Sequence, residues 1–245
     1  MMWVEVAQRK EDWDEFFEIC GREFVDSAFA RRYLPDIEKR KLLMPLYFRY
    51  LYESRYSEDQ GMLFLVKTKN EKNKTSIVAG WLAICDFSPR QADITKMVEV
   101  YKEGTDLLMK VEEWRAKNIH QVIENAAEDL NMKAIYGSRM VVVKAYAGQN
   151  ILKRHSDEML HLCSKETKKR YGNNTSFFLY WTSLENKLIG QTYRIAHLHY
   201  NYQPGLKCFE DSSAKREIEI SCHFVMADLE MVEKLRQYFS LLNKL

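Results

Sequence analysis

The sequence predicts an α/β protein, with a mixed central β-sheet flanked by helices and one helical insertion. Three observations predict it. Strand-like apolar runs recur in the first third of the chain and again over its last hundred residues. A strand, a helix and a strand follow one another between about 140 and 181, among segments that otherwise read as hairpins, and such a crossover implies a parallel pair inside the sheet. Residues 90–134 carry helix formers and no strand pattern. With no internal repeat and no linker rich in proline, glycine or serine, one domain over 1–245 is the expectation.

Each element has its own warrant. Met2 to Val6 alternates apolar and polar residues, the period of a strand. From about Lys10 the period lengthens, and Trp13, Phe16, Phe17, Cys20 and Phe24 fall on one helical face. A second helix covers about Ile37 to Tyr56. There Pro45 either starts the main helix or kinks it, and Leu46, Tyr47, Tyr50 and Leu51 follow at helical spacing. GMLFLVKTK (Gly61–Lys69) and SIVAGWLAICDF (Ser76–Phe87) form a hairpin across the polar turn NEKNKT. Past the insertion, the expected elements are a strand at Met140–Tyr146, a helix at Ser156–Tyr171 and a strand at Ser176–Trp181. A short helix near Asn186–Tyr193 comes next, then strands at Ile195–Tyr202 and Glu217–Met226 around a polar loop. Asp228 caps a final helix.

Composition narrows the function classes. Hydrophobic residues make up 46% and aromatic residues 13%, enough for a sizeable core, and 29% charged residues is ordinary for a folded chain. A net charge of +2 and a pI of about 8.1 are too mild to imply a nucleic-acid or membrane-surface partner. The basic runs at Lys39–Lys41 and Lys165–Arg170 are short or helical and read as solvated faces. The 5 cysteines are odd in number and widely spaced, which points to a reducing compartment. No signal-peptide pattern opens the sequence, and no run of about 18 apolar residues occurs, so a cytoplasmic protein is expected. Gly-x-Ser-x-Gly and the phosphate-binding Gly-x-x-x-x-Gly-Lys-Ser/Thr are both absent, which removes support for hydrolase and P-loop readings.

The residues that carry chemistry cluster late. In FLYWTSLENKLIGQTYRIAHLHY (Phe178–Tyr200), a strand runs into Thr182-Ser183 and then a helix bearing Asn186 and Tyr193, seven residues apart on one face. Upstream, AFARRYLPDIEKRKLLMPLYFRYLYES precedes the hairpin that holds VAGW (Val78–Trp81). In this order, these stretches resemble the GNAT superfamily of acyl-CoA-dependent N-acyltransferases from about Val4 to Met226.

The resemblance implies acetyl-CoA or another acyl-CoA as cofactor and a primary amine as acceptor. It implies that Asn186 touches the pantetheine arm and that Tyr193 protonates the leaving thiolate, a transfer a phenol of pKa about 10 can make to a thiolate of about 8.5. It places an N–H for the oxyanion near Val143 to Ala145. It also puts the pyrophosphate on the N-terminus of the helix after that strand, where unpaired N–H groups and the helix dipole favour an anion. The family's loop there reads Gln/Arg-x-x-Gly-x-Gly/Ala, and two registers lay it on AGQNILKRHSDEML. Counting back from Gly172 puts Arg154 at the first glycine and Ser156 at the last small position, with Lys153, Arg154 and Ser156 holding phosphate by charge and hydroxyl. Starting from Gly148 keeps one glycine and puts Asn150 and Leu152 at motif positions. The first is preferred, because Ser156, Asp157 and Glu158 read as a helix start.

Blander readings stand beside these. Tyr193 is one of 14 tyrosines and fits a core or rim position, and Cys163 reads as a small buried hydrophobe. His197 and His199 alternate onto one strand face beside His223, and such a trio could hold a metal, although no ligand spacing is diagnostic. His199 and Asp86 are conceivable bases toward an amine. The alternative to an enzyme is a catalytically inactive GNAT-like binding or regulatory module, motivated by the loop's missing glycines.

Overall fold

The computed structural model describes residues 1–27, 30–31, 34–55, 61–69, 73–84, 92–183, 199–211, 216–226, 234 and 237–238. The chain forms two compact units, each assembled from two segments: Met1–Leu108 with Ser138–Glu166, and Met109–Gly137 with Thr167–Leu245.

In the first unit, β1 (Met2–Val6) pairs antiparallel with β2 (Gly61–Lys69), and β2 with β3 (Thr75–Ile84). Met62–Val66 and Ile77–Ile84 are buried almost throughout, because this sheet carries side chains of the core on both faces. The register slips once: Val66 faces Ala79 and Lys67 faces Ile77, which leaves Val78 over on β3. Helices α1 (Lys10–Glu23) and α2 (Ile37–Arg55) supply the rest of this core. Trp13, Phe16, Phe17 and Cys20 are buried as the apolar period predicts, and Phe17 stacks on Tyr52 with ring centroids 4.9 Å apart. Each such side chain contributes about 1.5–3 kcal/mol by leaving water. On α2 the buried face is Leu43, Met44, Tyr47, Phe48 and Leu51, whereas Leu46 and Tyr50 lie at its margin. The helix passes through Pro45 without stopping.

The expected insertion is helical. In the described part, α3 (Thr95–Arg115) has one extended residue inside it, Tyr101 at φ −165° and ψ 90°. Thr105 steadies that kink by donating from its hydroxyl to the carbonyls of Met97 and Tyr101 (2.9 and 3.0 Å). A π-helical stretch at Ala116–His120 continues into α4 (Gln121–Asp129). Val122, Ile123, Ala126 and Ala127 are its buried face. Asn131 at φ 51° turns the chain out of the helix, and the Met132 N–H closes the turn on the Ala127 carbonyl at 2.8 Å.

β4 (Lys133–Val142) is placed earlier than the sequence suggests. It begins seven residues before Met140 and stops four before Tyr146, where a 3₁₀ turn covers Lys144–Tyr146. The early start escaped the pattern because Lys133, Gly137, Ser138 and Arg139 interrupt any apolar alternation. Pairing fixes it instead: Lys133–Gly137 run parallel to Thr175–Leu179 of β5 (Thr175–Ser183). The crossover between them is α5 (Ile151–Tyr171). On its other edge β5 pairs antiparallel with β7 (Arg216–Met226), and β7 with β6 (His199–Asp211). β6 extends well past Tyr202, through residues expected to be loop. Its register breaks between Gln203 and Leu206, which is where an edge strand absorbs Pro204 and Gly205. Of the expected C-terminal helix, Lys234, Gln237 and Tyr238 are described and helical. Lys234 Nζ and the Tyr238 hydroxyl both reach Asp129 Oδ2, at 2.9 and 3.0 Å. No helix among the described residues is long and apolar enough to cross a membrane.

Candidate active site

The segment from the end of β4 to the start of α5 lies within the first unit and holds five of the seven expected site residues. Val143 follows β4 directly, and its N–H donates to the carbonyl of Val78 at 2.9 Å, so the bulge residue of β3 fixes where the strand stops. The next N–H, that of Lys144, donates to Glu23 Oε2 at 3.2 Å. Ala145 is the middle residue of the 3₁₀ turn and is exposed.

The helix that follows starts at Ile151, five residues ahead of Ser156. The expected start at Ser156 is thereby corrected, because the chain enters the helix earlier. The chain turns into α5 through Gly148 at φ 81° and Asn150 at φ 54°, conformations that glycine and asparagine adopt at least cost. A Cβ at Gly148 would meet nothing within 4 Å, so the backbone angle and not crowding asks for glycine. The first intrahelical bond runs from the Arg154 N–H to the Asn150 carbonyl at 2.9 Å. The N–H groups of Ile151, Leu152 and Lys153 therefore have no acceptor inside the helix and point out of its N-terminus.

Lys153 is the third residue of α5, and Arg154 is the fourth and exposed. Ser156 is the sixth, so its N–H is spent inside the helix and it cannot close a loop before it. Asp157 and Glu158, expected at the helix start, lie in the second turn, and the first turn holds no acid. Glu158 instead approaches His155, with Oε2 at 3.4 Å from Nδ1. The backbone thus turns into a helix N-terminus that carries the positive end of the dipole.

Asn186 and Tyr193 lie outside the described residues, as do Asp86 and His197. Cys163 is buried, as a small hydrophobe should be. His199 pairs with Met226 and His223 with Tyr202 across β6 and β7. Among the described residues no group of three His, Cys, Asp or Glu is placed to hold a metal ion.

Sequence reasoning missed Glu23. Its signal was a local conflict: an acid on the last residue of α1, where the helix dipole favours a cation.

Comparison with solved structures bears on this arrangement. A structure from Corynebacterium glutamicum described as histone acetyltransferase HPA2 and related acetyltransferase matches 91% of this chain and 94% of its own, at TM-score 0.50 and 13% identity. The chain has the GNAT fold. A mosquito arylalkylamine N-acetyltransferase-like protein matches 92% of this chain and all of its own, at TM-score 0.47 and 13% identity. The Escherichia coli ribosomal-protein-S18-alanine N-acetyltransferase matches 94% and 96%, at TM-score 0.43 and 10% identity. No family model and no curated protein matches the sequence. At such identities the likeness to the Corynebacterium protein establishes architecture alone.

Proposed function

We propose that this GNAT-fold chain transfers an acyl group from an acyl-CoA, acetyl-CoA in the simplest case, to a primary amine of a small molecule or peptide. The observation that carries the reading is the turn from β4 into α5. A glycine at positive φ, three N–H groups without helical acceptors and an acid-free first turn sit where this fold's pyrophosphate would rest. By the resemblance, Lys153, Arg154 and Ser156 hold the phosphates by charge and hydroxyl. The same resemblance has an N–H near Val143 to Ala145 serve the acyl oxygen. By the resemblance, Asn186 contacts the pantetheine arm and Tyr193 is the acid for the thiolate. Acyl-CoA supplies an activated thioester, and the chain supplies orientation, the proximity of two bound substrates and the proton transfers.

Isothermal titration with acetyl-CoA tests the reading, and no binding at high micromolar concentration sinks it. Where binding is seen, Tyr193→Phe lowers turnover and leaves the cofactor's affinity intact. A second reading, a GNAT-like module that binds or regulates without catalysis, draws on the loop's single glycine and on the carboxylate lodged at Lys144. It predicts binding without turnover, or no binding at all.

A further inference from the structure

Glu23 places a carboxylate against the backbone where β4 ends. Its Oε2 accepts the Lys144 N–H at 3.2 Å, its Oε1 accepts Arg22 Nε at 3.1 Å, and its side chain is 13% exposed. The two residues are 121 apart in sequence, so the tertiary fold creates this contact and local preference does not. The position is also locally unfavourable, since a carboxylate at a helix C-terminus meets the negative end of the dipole. Of the two N–H groups that open the turn after β4, Val143's is spent on Val78 and Lys144's already holds an anionic oxygen. An N–H that accommodates a carboxylate oxygen can equally accommodate the oxygen on which charge develops during acyl transfer.

We propose that Glu23 is the proton acceptor for the incoming amine, and that the acceptors are amines cationic in water; this rests on the acyl-transfer reading above. In the resting protein the carboxylate occupies the Lys144 N–H. A bound ammonium draws it away by charge, and the N–H becomes available to the acyl oxygen. The ammonium gives one proton to the Glu23 carboxylate, and its nitrogen lone pair forms the C–N bond to the acyl carbon. The C–S bond breaks with its electron pair on sulfur. The nitrogen's second proton ends on the thiolate and its third remains on the amide, while Glu23 returns its own proton to water. Ammonium and thioester thus give amide, thiol and one released proton.

The experiment uses the full chain with acetyl-CoA and three primary amines, tyramine, spermidine and an alanyl tripeptide, with release of free thiol as the readout. Glu23→Gln keeps a neutral acceptor for the Lys144 N–H and removes the base. It lowers turnover by roughly 10²-fold or more while the acetyl-CoA Kd stays unchanged, and Glu23→Asp recovers part of the loss. Equal turnover in Glu23→Gln and wild type overturns the assignment and leaves the acyl-transfer reading standing. Wild type that binds acetyl-CoA but acylates none of the amines also overturns it. Wild type that binds no acetyl-CoA takes down both. Should Glu23→Gln fold poorly, the Lys144 amide resonance of the wild-type protein decides: it shifts when tyramine or spermidine is added to protein saturated with CoA, and an unmoved resonance counts against Glu23.

Discussion

Lys67 Nζ lies 2.6 Å from Asp12 Oδ1, and both side chains are almost shut off from solvent, at 3% and 4% exposure. Glu5 Oε1 approaches the same ammonium at 2.7 Å, and Arg9 reaches Asp12 Oδ1 at 3.0 Å. The cluster ties β1, α1 and β2 together at one point. A buried ammonium tolerates this only while it is paired. Asp12→Ala leaves Lys67 with Glu5 alone, and the expected loss is about 3 kcal/mol in urea unfolding. A loss under about 1 kcal/mol would show that Glu5 suffices. Lys67→Met combined with Asp12→Leu should restore most of the stability, since an apolar replacement of similar volume removes the desolvation cost along with the pair.

The same cluster sets an acid limit. For Asp12, burial alone would raise the carboxyl pKa, but hydrogen bonds from Arg9 and Lys67 outweigh it and hold the group below its ordinary value. Glu5 behaves alike, with burial opposed by Lys67 and Trp3. Because the folded pKa values are depressed, the stabilisation is fully present above the unfolded values of about 4. It is lost as pH falls through the lower folded values. The urea midpoint should therefore drop between about pH 5 and pH 3, and Asp12→Asn should flatten that drop. An equally steep decline in Asp12→Asn would assign the acid sensitivity elsewhere.

Helix α1 approaches α2 closely at Gly21, where an added Cβ would lie 2.7 Å from the Pro45 Cα. That atom is backbone and cannot rotate away. Gly21→Ala gains up to about 1 kcal/mol in helix propensity, but the overpacking costs about 1–3 kcal/mol. A net loss in thermal or urea unfolding is expected. A stabilised Gly21→Ala would mean that the two helices part at little cost.

How much of this was legible in the sequence differs by element. The apolar face of α1 and the β2–β3 hairpin follow from periodicity, because burial there is decided by side chains whose spacing is visible. The start of β4 does not, because Lys133–Gly137 are held as a strand by parallel pairing to a segment about forty residues away. The start of α5 misled for a related reason: Ser156, Asp157 and Glu158 make a good local start, yet the chain enters the helix where Gly148 and Asn150 take positive φ. Glu23 was visible only as a misplaced charge, and its partner Lys144 is a tertiary fact.

The position of that helix start yields a direct test of where an anion sits. Arg154 is exposed in the first turn of α5, beside the N–H groups of Ile151 to Lys153. Arg154→Glu reverses a charge there without touching the core. An acid near a helix N-terminus favours the helix, so the melting temperature should hold or rise slightly. Acetyl-CoA affinity should nevertheless fall by about tenfold, roughly 1.4 kcal/mol, and its dependence on salt should weaken. Lys169→Glu, at the far end of the same helix and also exposed, should leave affinity alone. The two variants change net charge by the same amount, so a difference between them isolates the helix N-terminus from long-range attraction. Equal affinities across wild type and both variants would place the pyrophosphate somewhere other than this turn.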